Sequence, residues 1–152
     1  MTGSVISPVT LRPVDQRHAG PVVARRTLPV ASVPTRRSDT IVYGMATLDS
    51  RGRVADHLIL ASLNWSPGTR LDIHEAHGVL IISATPTGVF AINKQGHLHL
   101  PAGVRRRCGL ATADRVLLSA HRESGALMIH PPATLDAVFA AVHTELLGGE
   151  TQ

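Results

Sequence analysis

The middle of this chain contains the same pattern twice. Residues 44–83 and residues 88–130 each follow one order: strand, glycine turn, strand, helical turn, polar turn, strand, glycine hairpin, strand. Two aligned pairs show the correspondence: Asp49-Ser-Arg-Gly-Arg-Val54 with Asn93-Lys-Gln-Gly-His-Leu98, and Gly78-Val-Leu-Ile-Ile82 with Gly125-Ala-Leu-Met-Ile129. A unit of about 40 residues buries too little surface to fold alone, so the two copies are expected to pack together.

Composition limits which residues can form the core and indicates the cellular compartment. The 152 residues make one domain or two very small ones. Aromatic residues are only 3%, so Val, Ile, Leu and Ala must fill the core, which suits short strands in a small barrel. Cys108 is the single cysteine, which excludes an internal disulfide and fits a reducing cytoplasm. Neither a membrane-spanning apolar run nor a compact secretory signal is present in the sequence, so we expect a cytoplasmic protein.

Charge is distributed unevenly along the chain. The formal net charge is +4, and residues 1–40 carry six arginines, whereas residues 133–152 carry three acids and no Lys or Arg. Lys94 is the only lysine. Arginine forks bind phosphates and guanine edges, which favours a nucleic-acid partner, although a GC-rich genome also encodes Arg for any surface cation. The sequence therefore predicts a polyanion partner for the body and leaves the acidic tail for a second partner.

Four segments divide the chain. Residues 1–40 hold five prolines and keep neither the helical nor the strand period, so we expect a disordered or polyproline-like arm. That arm either follows DNA phosphates or is a passive tail. Residues 41–85 and 88–132 are the two repeated units, and residues 133–147 are a C-terminal helix.

Local patterns predict the elements within these segments. Residues 41–48 and 53–60 are predicted strands around a Ser-Arg-Gly turn, and residues 88–92 and 97–100 are their counterparts. Pro101 to Cys108 is a predicted short helix that ends at Gly109. Further strands are expected at 114–119 and 125–130. In the C-terminal helix Leu135, Val138, Phe139, Val142 and Leu146 repeat at helical spacing, and this face either packs on the barrel or is offered to a partner.

The run from Gly96 to Val116 resembles the AbrB/MazE/SpoVT swapped-hairpin family. The positions that fit its pattern are Gly96, Leu98, Leu100, Pro101, Val104, Arg105, Gly109, Leu110, Asp114 and Val116. Asn93, His97 and Ala113 depart from it, where the pattern has Asp, Arg and Gly. The first repeat keeps the turn Asp49-Ser-Arg-Gly-Arg-Val54 intact but has His57 in place of the proline and Leu60-Ala-Ser-Leu63 in place of the Arg-rich helix.

The resemblance implies a fold and a function. In that family two ββαββ units exchange hairpins and close one small barrel, so we expect a mainly β fold with a swapped-hairpin barrel, a C-terminal α-helix and the N-terminal arm. MraZ-type proteins also carry two units per chain and assemble into rings, so a homo-oligomer remains open. Family members bind double-stranded DNA through the turn arginine and the start of the helix. Transferred to this chain, with neighbouring residues added for charge, the DNA-binding set is Arg51, Arg53, Lys94, Gln95, His97, Arg105, Arg106 and Arg107.

The expected function is sequence-specific DNA binding by a transcriptional regulator, without cofactor or metal. Because the repeats differ, we expect a non-palindromic site. His74, His77, His97, His99 and His121 have partly ligand-like spacing, but surface or DNA-facing imidazoles are the simpler interpretation. Cys108 and Trp65 are expected in the core, and no catalytic motif indicates an enzyme. Two alternatives stay open: an antitoxin that binds a toxin through residues 133–152 and autoregulates its operon, and a degenerate pair of units that only contacts proteins.

Overall fold

The computed structural model describes residues 37–148, and the predicted arm therefore lies largely outside the described residues. The elements in chain order are β1 (Ile41–Thr47), β2 (Arg53–Val54), α1 (His57–Ser62), β3 (Arg70–Ala76), β4 (Val79–Ala84), β5 (Phe90–Ala91), β6 (Leu98–His99), α2 (Ala102–Arg107), β7 (Arg115–His121), β8 (Ala126–His130) and α3 (Pro132–Leu146). No described helix is long and apolar enough to cross a membrane.

Strands from the two repeats alternate in one antiparallel sheet. Its order is β1-β7-β8-β4-β3-β5, while β2 and β6 pair with each other in a separate ribbon. Each of the strands β1 to β4 has its counterpart four strands later in the chain. Exchanging every strand for its counterpart reverses the sheet order and leaves it otherwise unchanged, so the repeats are related by a pseudo-two-fold axis. They are also interlocked, because β1 pairs with β7 of the second repeat and β5 pairs with β3 of the first.

The expectation of a mainly β fold is confirmed, but the described residues form no closed barrel. Strands β1 and β5 are the two edges of the six-stranded sheet. The strands that could have bridged those edges, β2 and β6, bond to each other instead and lie outside the sheet. The sheet is consequently open on both sides within residues 37–148.

One apolar core lies between the inner face of the sheet and a second layer made by the ribbon and the short helices. The sheet contributes residues such as Leu71, Leu80, Ile82, Val116 and Ile129. The second layer contributes Val54, Leu98, Leu100, Ile59 and Val104. Trp65 and Cys108 are buried in the same core, as predicted. Aliphatic side chains therefore fill the core, as the scarcity of aromatic residues indicated.

The prediction of a strand over residues 53–60 is wrong beyond Val54. The chain turns into α1 because the carboxylate of Asp56 caps it, accepting a hydrogen bond from the Ile59 N–H at 3.1 Å. Ile59 and Leu60 then face the core. Apolar runs this short do not distinguish a strand from a helix by periodicity, and the capping aspartate was the overlooked signal.

Helices α1 and α2 end in the same way, which confirms their equivalence. Asn64 and Gly109 adopt left-handed backbone angles, φ 58° and φ 63°. The next residue of each repeat donates its N–H back into the helix: Trp65 to the Leu60 carbonyl and Leu110 to the Arg105 carbonyl, both at 2.9 Å. Leu60 and Arg105 are therefore equivalent positions. Val54 is three residues before the start of α1, whereas its counterpart Leu98 is four residues before the start of α2, so the first repeat is one residue shorter here. Asp56, and not His57, is therefore the counterpart of Pro101, since each is the N-cap of its helix.

Within residues 37–148, helix α3 contacts the rest of the fold mainly through its first turn. Pro131 is buried, and the Thr134 hydroxyl donates to the Gly78 carbonyl at 2.9 Å, rather than capping the helix. Leu135 is half-buried, whereas every described residue from Asp136 onward is exposed. The helix predicted over 133–147 is thus present. Its apolar face does not pack on the sheet and is open to solvent.

Candidate nucleic-acid interface

The two glycine turns have the same geometry. In the first, Asp49 Oδ1 accepts hydrogen bonds from the N–H groups of Arg51 and Arg53, at 2.9 and 2.8 Å. In the second, Asn93 Oδ1 accepts from the N–H groups of Gln95 and His97, at 3.0 and 2.8 Å. An Asp or an Asn side chain organises such a turn because only one oxygen acceptor is needed. Asn93 therefore organises the second turn in the same way as Asp49 organises the first.

The ribbon holds these turns at its opposite ends. Strands β2 and β6 are antiparallel, with Arg53 opposite His99 and Val54 opposite Leu98. Each turn immediately precedes its own strand, so antiparallel pairing separates the turns. Val54 and Leu98 are buried, which directs Arg53 and His99 to the outer face of the ribbon.

Both repeats contribute to one end of the ribbon. Arg105 of α2 lies over the first turn, so close that a Cβ on Gly52 would be 2.6 Å from its Nε. The same Nε donates to the Leu100 carbonyl at 3.0 Å, and the Leu100 N–H donates to the Gly52 carbonyl at 2.8 Å. We call the Asp49–Arg53 turn together with Arg105 and its exposed neighbour Arg106 the Arg end.

An ion pair orients the turn arginine of the Arg end. Arg53 Nε donates to Asp49 Oδ2 at 2.7 Å, and this is the only ion pair within residues 37–148. The hydrogen bond from the Arg53 backbone N–H is the main cause that lowers the pKa of Asp49 to about 2, and the Arg53 side chain lowers it further. Asp49 is therefore ionised at neutral pH. Because Nε faces Asp49, the two Nη groups of Arg53 remain available as a fork of donors.

The opposite end of the ribbon is weakly charged. Lys94 and Gln95 are exposed, and His97 is half-buried with its Nδ1 enclosed and without a hydrogen-bond partner. The ring of His57, from the first turn of α1, approaches Gly96, with its Cε1 3.4 Å from the position of an added Cβ. We call the Asn93–His97 turn together with His57 the His end. Lys94 is its only permanent positive charge.

The eight predicted residues thus divide between the two ends, with one exception. Arg107 is two residues beyond Arg105 and lies about 200° away around the helix axis, on the other flank of α2. Burial is the main cause that raises the pKa of the neighbouring Cys108 thiol; the charge of Glu75 of β3 raises this pKa further, and the charge of Arg107 lowers it. Arg107 is therefore separated from the Arg end.

Two residues of these ends, Asp49 and His57, and a third beside the Arg end, His99, were not among the predicted site residues. Asp49 pairs with Arg53, His57 contacts Gly96, and His99 is opposite Arg53 across the ribbon. The turn motif itself could have identified Asp49, since Asp49 is four residues before Arg53 in the same glycine turn. No sequence signal connects His57 to Gly96, because that contact depends on the interlocking of the repeats.

The histidines in the described part of the chain do not converge into a metal-binding cluster. Within residues 37–148, no group of three or more His, Cys, Asp or Glu side chains is arranged to hold a metal ion.

A search of protein-family models finds none that matches this chain, and no curated protein is significantly similar to it.

Proposed function

We propose that this protein is a sequence-specific DNA-binding protein of the swapped-hairpin type, and that it contacts DNA with the Arg end. The observation that carries the proposal is that Arg105 of the second repeat lies over the turn that holds Arg51 and Arg53 of the first, with Arg106 exposed beside Arg105 in α2. The interlocked strand order supports the proposed relationship to that class, in which hairpins exchange between two units. In a bacterial cell such a protein acts as a transcriptional regulator.

Each arginine of the Arg end has a role that follows from its contacts. Arg53 is held by Asp49 through Nε, so its Nη fork reads a guanine edge in the major groove, a contact worth about 1–3 kcal/mol of base discrimination. Arg51 and Arg106 are exposed and hold phosphates, which makes binding salt-dependent. Arg105 supports the turn, since its Nε is already bonded to the Leu100 carbonyl.

The difference in side chains between the Arg end and the His end determines the symmetry of the proposed DNA site. A symmetric dimer reads a palindrome because protein and DNA share a two-fold axis. Here the Arg end offers a fork of donors, whereas the His end offers Lys94, Gln95 and a half-buried imidazole at the equivalent turn. The proposed binding site on DNA is therefore non-palindromic, with the strongest base preference under the Arg end.

A salt titration with matched variants tests the proposal. Full-length protein is mixed with a pool of genomic fragments to select those it retains, and their affinity is measured by fluorescence anisotropy at several salt concentrations. The test variant is Arg51→Ala/Arg53→Ala/Arg106→Ala. The control is Arg70→Ala/Arg115→Ala/Arg122→Ala, which removes the same charge from exposed positions outside the Arg end. Arg105 is left intact in both, since its contacts support the fold.

The proposal predicts that the test variant loses fragment selectivity and at least about tenfold in affinity, with a shallower salt slope, since three phosphate or base contacts are removed. The control variant keeps fragment selectivity. Equal losses in both variants would show that only net charge matters, and unchanged binding in the test variant would contradict the proposed interface.

The exposed face of α3 favours a second candidate function, that of an antitoxin. Val138, Phe139, Val142 and Leu146 remain open to solvent on a helix that carries Asp136 and Glu145 and no Lys or Arg. Such a face suits capture of a basic partner with an apolar groove. Coexpression with a toxic protein encoded beside this gene tests it: wild type should restore growth and Val138→Ser/Val142→Ser should not. Equal rescue by both would reject this role for α3.

A further inference from the structure

The two edges of the sheet are equivalent by the internal symmetry but differ in length and protection. Edge strand β5 is two residues long and follows the segment Thr85-Pro-Thr-Gly88, whose short, proline-containing chain prevents further pairing. Edge strand β1 is seven residues long and has no charged residue and no proline. Long, uncharged edge strands are the sites at which sheets add another strand.

Alternation of hydrogen bonds identifies the backbone groups exposed along β1. The Thr40 carbonyl and the Leu48 N–H both bond to the neighbouring β7 side, to Arg122 and Asp114 respectively. In an antiparallel pair every second residue bonds to the neighbour, so the even-numbered residues of β1 face β7. The N–H and C=O groups of Ile41, Tyr43, Met45 and Thr47 consequently point away from the sheet, and no partner for them exists within residues 37–148.

We propose that β1 pairs with β1 of a second copy of this chain, antiparallel, about a two-fold axis at Gly44. In this register Tyr43 lies opposite Met45 of the second copy, and Ile41 lies opposite Thr47. All four outward-facing residues of each strand then gain partners, which amounts to about eight backbone hydrogen bonds. Centring the axis on Tyr43 or Met45 instead leaves outward groups of each strand unpaired.

The side chains agree with the same register. Tyr43 and Met45 are 55% and 45% exposed on the outer face of the sheet, unusually high for large apolar residues on a strand. The dimer places each Tyr43 ring against a Met45 thioether, a favourable pairing. Because β1 itself carries no charge, the seven paired residues bring no like charges opposite each other. An isologous contact of this kind also closes after two chains, and the shortened β5 edge offers no site for a third.

Sedimentation equilibrium of the full-length chain over a wide concentration range tests this dimer. The disrupting variants are Tyr43→Lys and Met45→Lys, because lysine on an edge strand opposes pairing. The matched controls are Leu58→Lys and Val89→Lys, which add the same charge at apolar positions that are 80% and 79% exposed. Thermal unfolding of each variant establishes that it is folded.

The expected result is a monomer–dimer equilibrium in wild type and both controls, weakened at least about tenfold in the two β1 variants. Amide hydrogen exchange of wild type gives an independent readout: protection of the odd-numbered amides from 41 to 47 should rise with protein concentration. Three outcomes would overturn the proposal. These are a monomer at every concentration, protection of those amides that does not depend on concentration, or an oligomer that Tyr43→Lys and Met45→Lys leave unchanged.

Discussion

The Arg end and the His end share one backbone design and differ in what the opposite repeat supplies. Both turns use one side-chain oxygen and a glycine with φ of 75° or 80°. At the Arg end, Arg105 covers the glycine, whereas its equivalent in the first repeat, Leu60, is buried in the core and His57 approaches the His end instead. The comparison shows that the turn maintains the fold, while the helix position of the other repeat decides the charge of each end.

Substitution of the turn glycines should show the largest difference between the ends. Gly96→Ala should destabilise by about 1–2 kcal/mol, because an L residue is strained at positive φ. Gly52→Ala should cost about 2–4 kcal/mol, since its Cβ would also meet Arg105 Nε and the Leu100 carbonyl. Urea unfolding measures both. In an Arg105→Ala background the excess cost at Gly52 should shrink, and equal costs of the two single substitutions would disprove the asymmetric contact.

A second pair of equivalent positions allows an exchange of residues between the repeats. Gly68 and Ala113 both have positive φ, 89° and 72°, and each donates its N–H across the repeat boundary at 2.8 Å, to Ile92 and Leu48 carbonyls respectively. Ala113→Gly should therefore stabilise the protein by about 1 kcal/mol, and Gly68→Ala should destabilise it by a similar amount. The midpoint temperature of thermal unfolding measures both changes. A shift in the same direction for both substitutions would contradict the equivalence of the two positions.

Acid unfolding separates the two turn-forming side chains. The pKa of Asp49 is lowered to about 2, below its value of about 3.9 in an unfolded chain. Its contribution to stability is therefore complete above pH 4 and is lost as the pH falls through 2. Asp49→Asn, which copies Asn93, should keep the turn and remove this acid dependence, as followed by urea unfolding at pH 7, 4 and 2.5. An unchanged acid dependence in Asp49→Asn would show that the ionised carboxylate of Asp49 does not stabilise the fold.

The smallest effect is expected at His130, on the outer face of the sheet. Burial and then the neighbouring His121 lower the pKa of His130, whose Nε2 lies 3.1 Å from the Ser119 hydroxyl. The folded state therefore disfavours the protonated ring, and stability that is complete above pH 6.5 falls as acid protonates the unfolded chain. His130→Gln should flatten the dependence of stability on pH between pH 7 and 5, as measured by urea unfolding. If stability still depends on pH in this range in His130→Gln, a group other than His130 is responsible.

Local chemistry explains what the sequence predicted well. The repeat, both turns, α2 with Gly109 after it and α3 all depend on residues that are close in the chain. The resemblance that named Arg53 and Arg105 as candidates depends on the same local signals, and both the resemblance and the role of these residues stay predictions.

Long-range pairing explains what the sequence did not predict. Nothing local specifies that β1 bonds to β7 or that Arg105 covers Gly52. The open sheet in place of a closed barrel also depends on pairing between distant strands. Helix α1 was missed for a different reason, since a short apolar run fits a strand or a helix and its cap was overlooked.

The most direct test of the account is residue-level NMR of the full-length chain, titrated with a DNA fragment that it selects. The Arg end as DNA interface predicts the largest amide shift changes at residues 51–53 and 105–106, smaller changes at 94–97, and none around Arg70 and Arg115. Changes confined to residues 1–36 or to α3, with the amides of the Arg end unmoved, would contradict it.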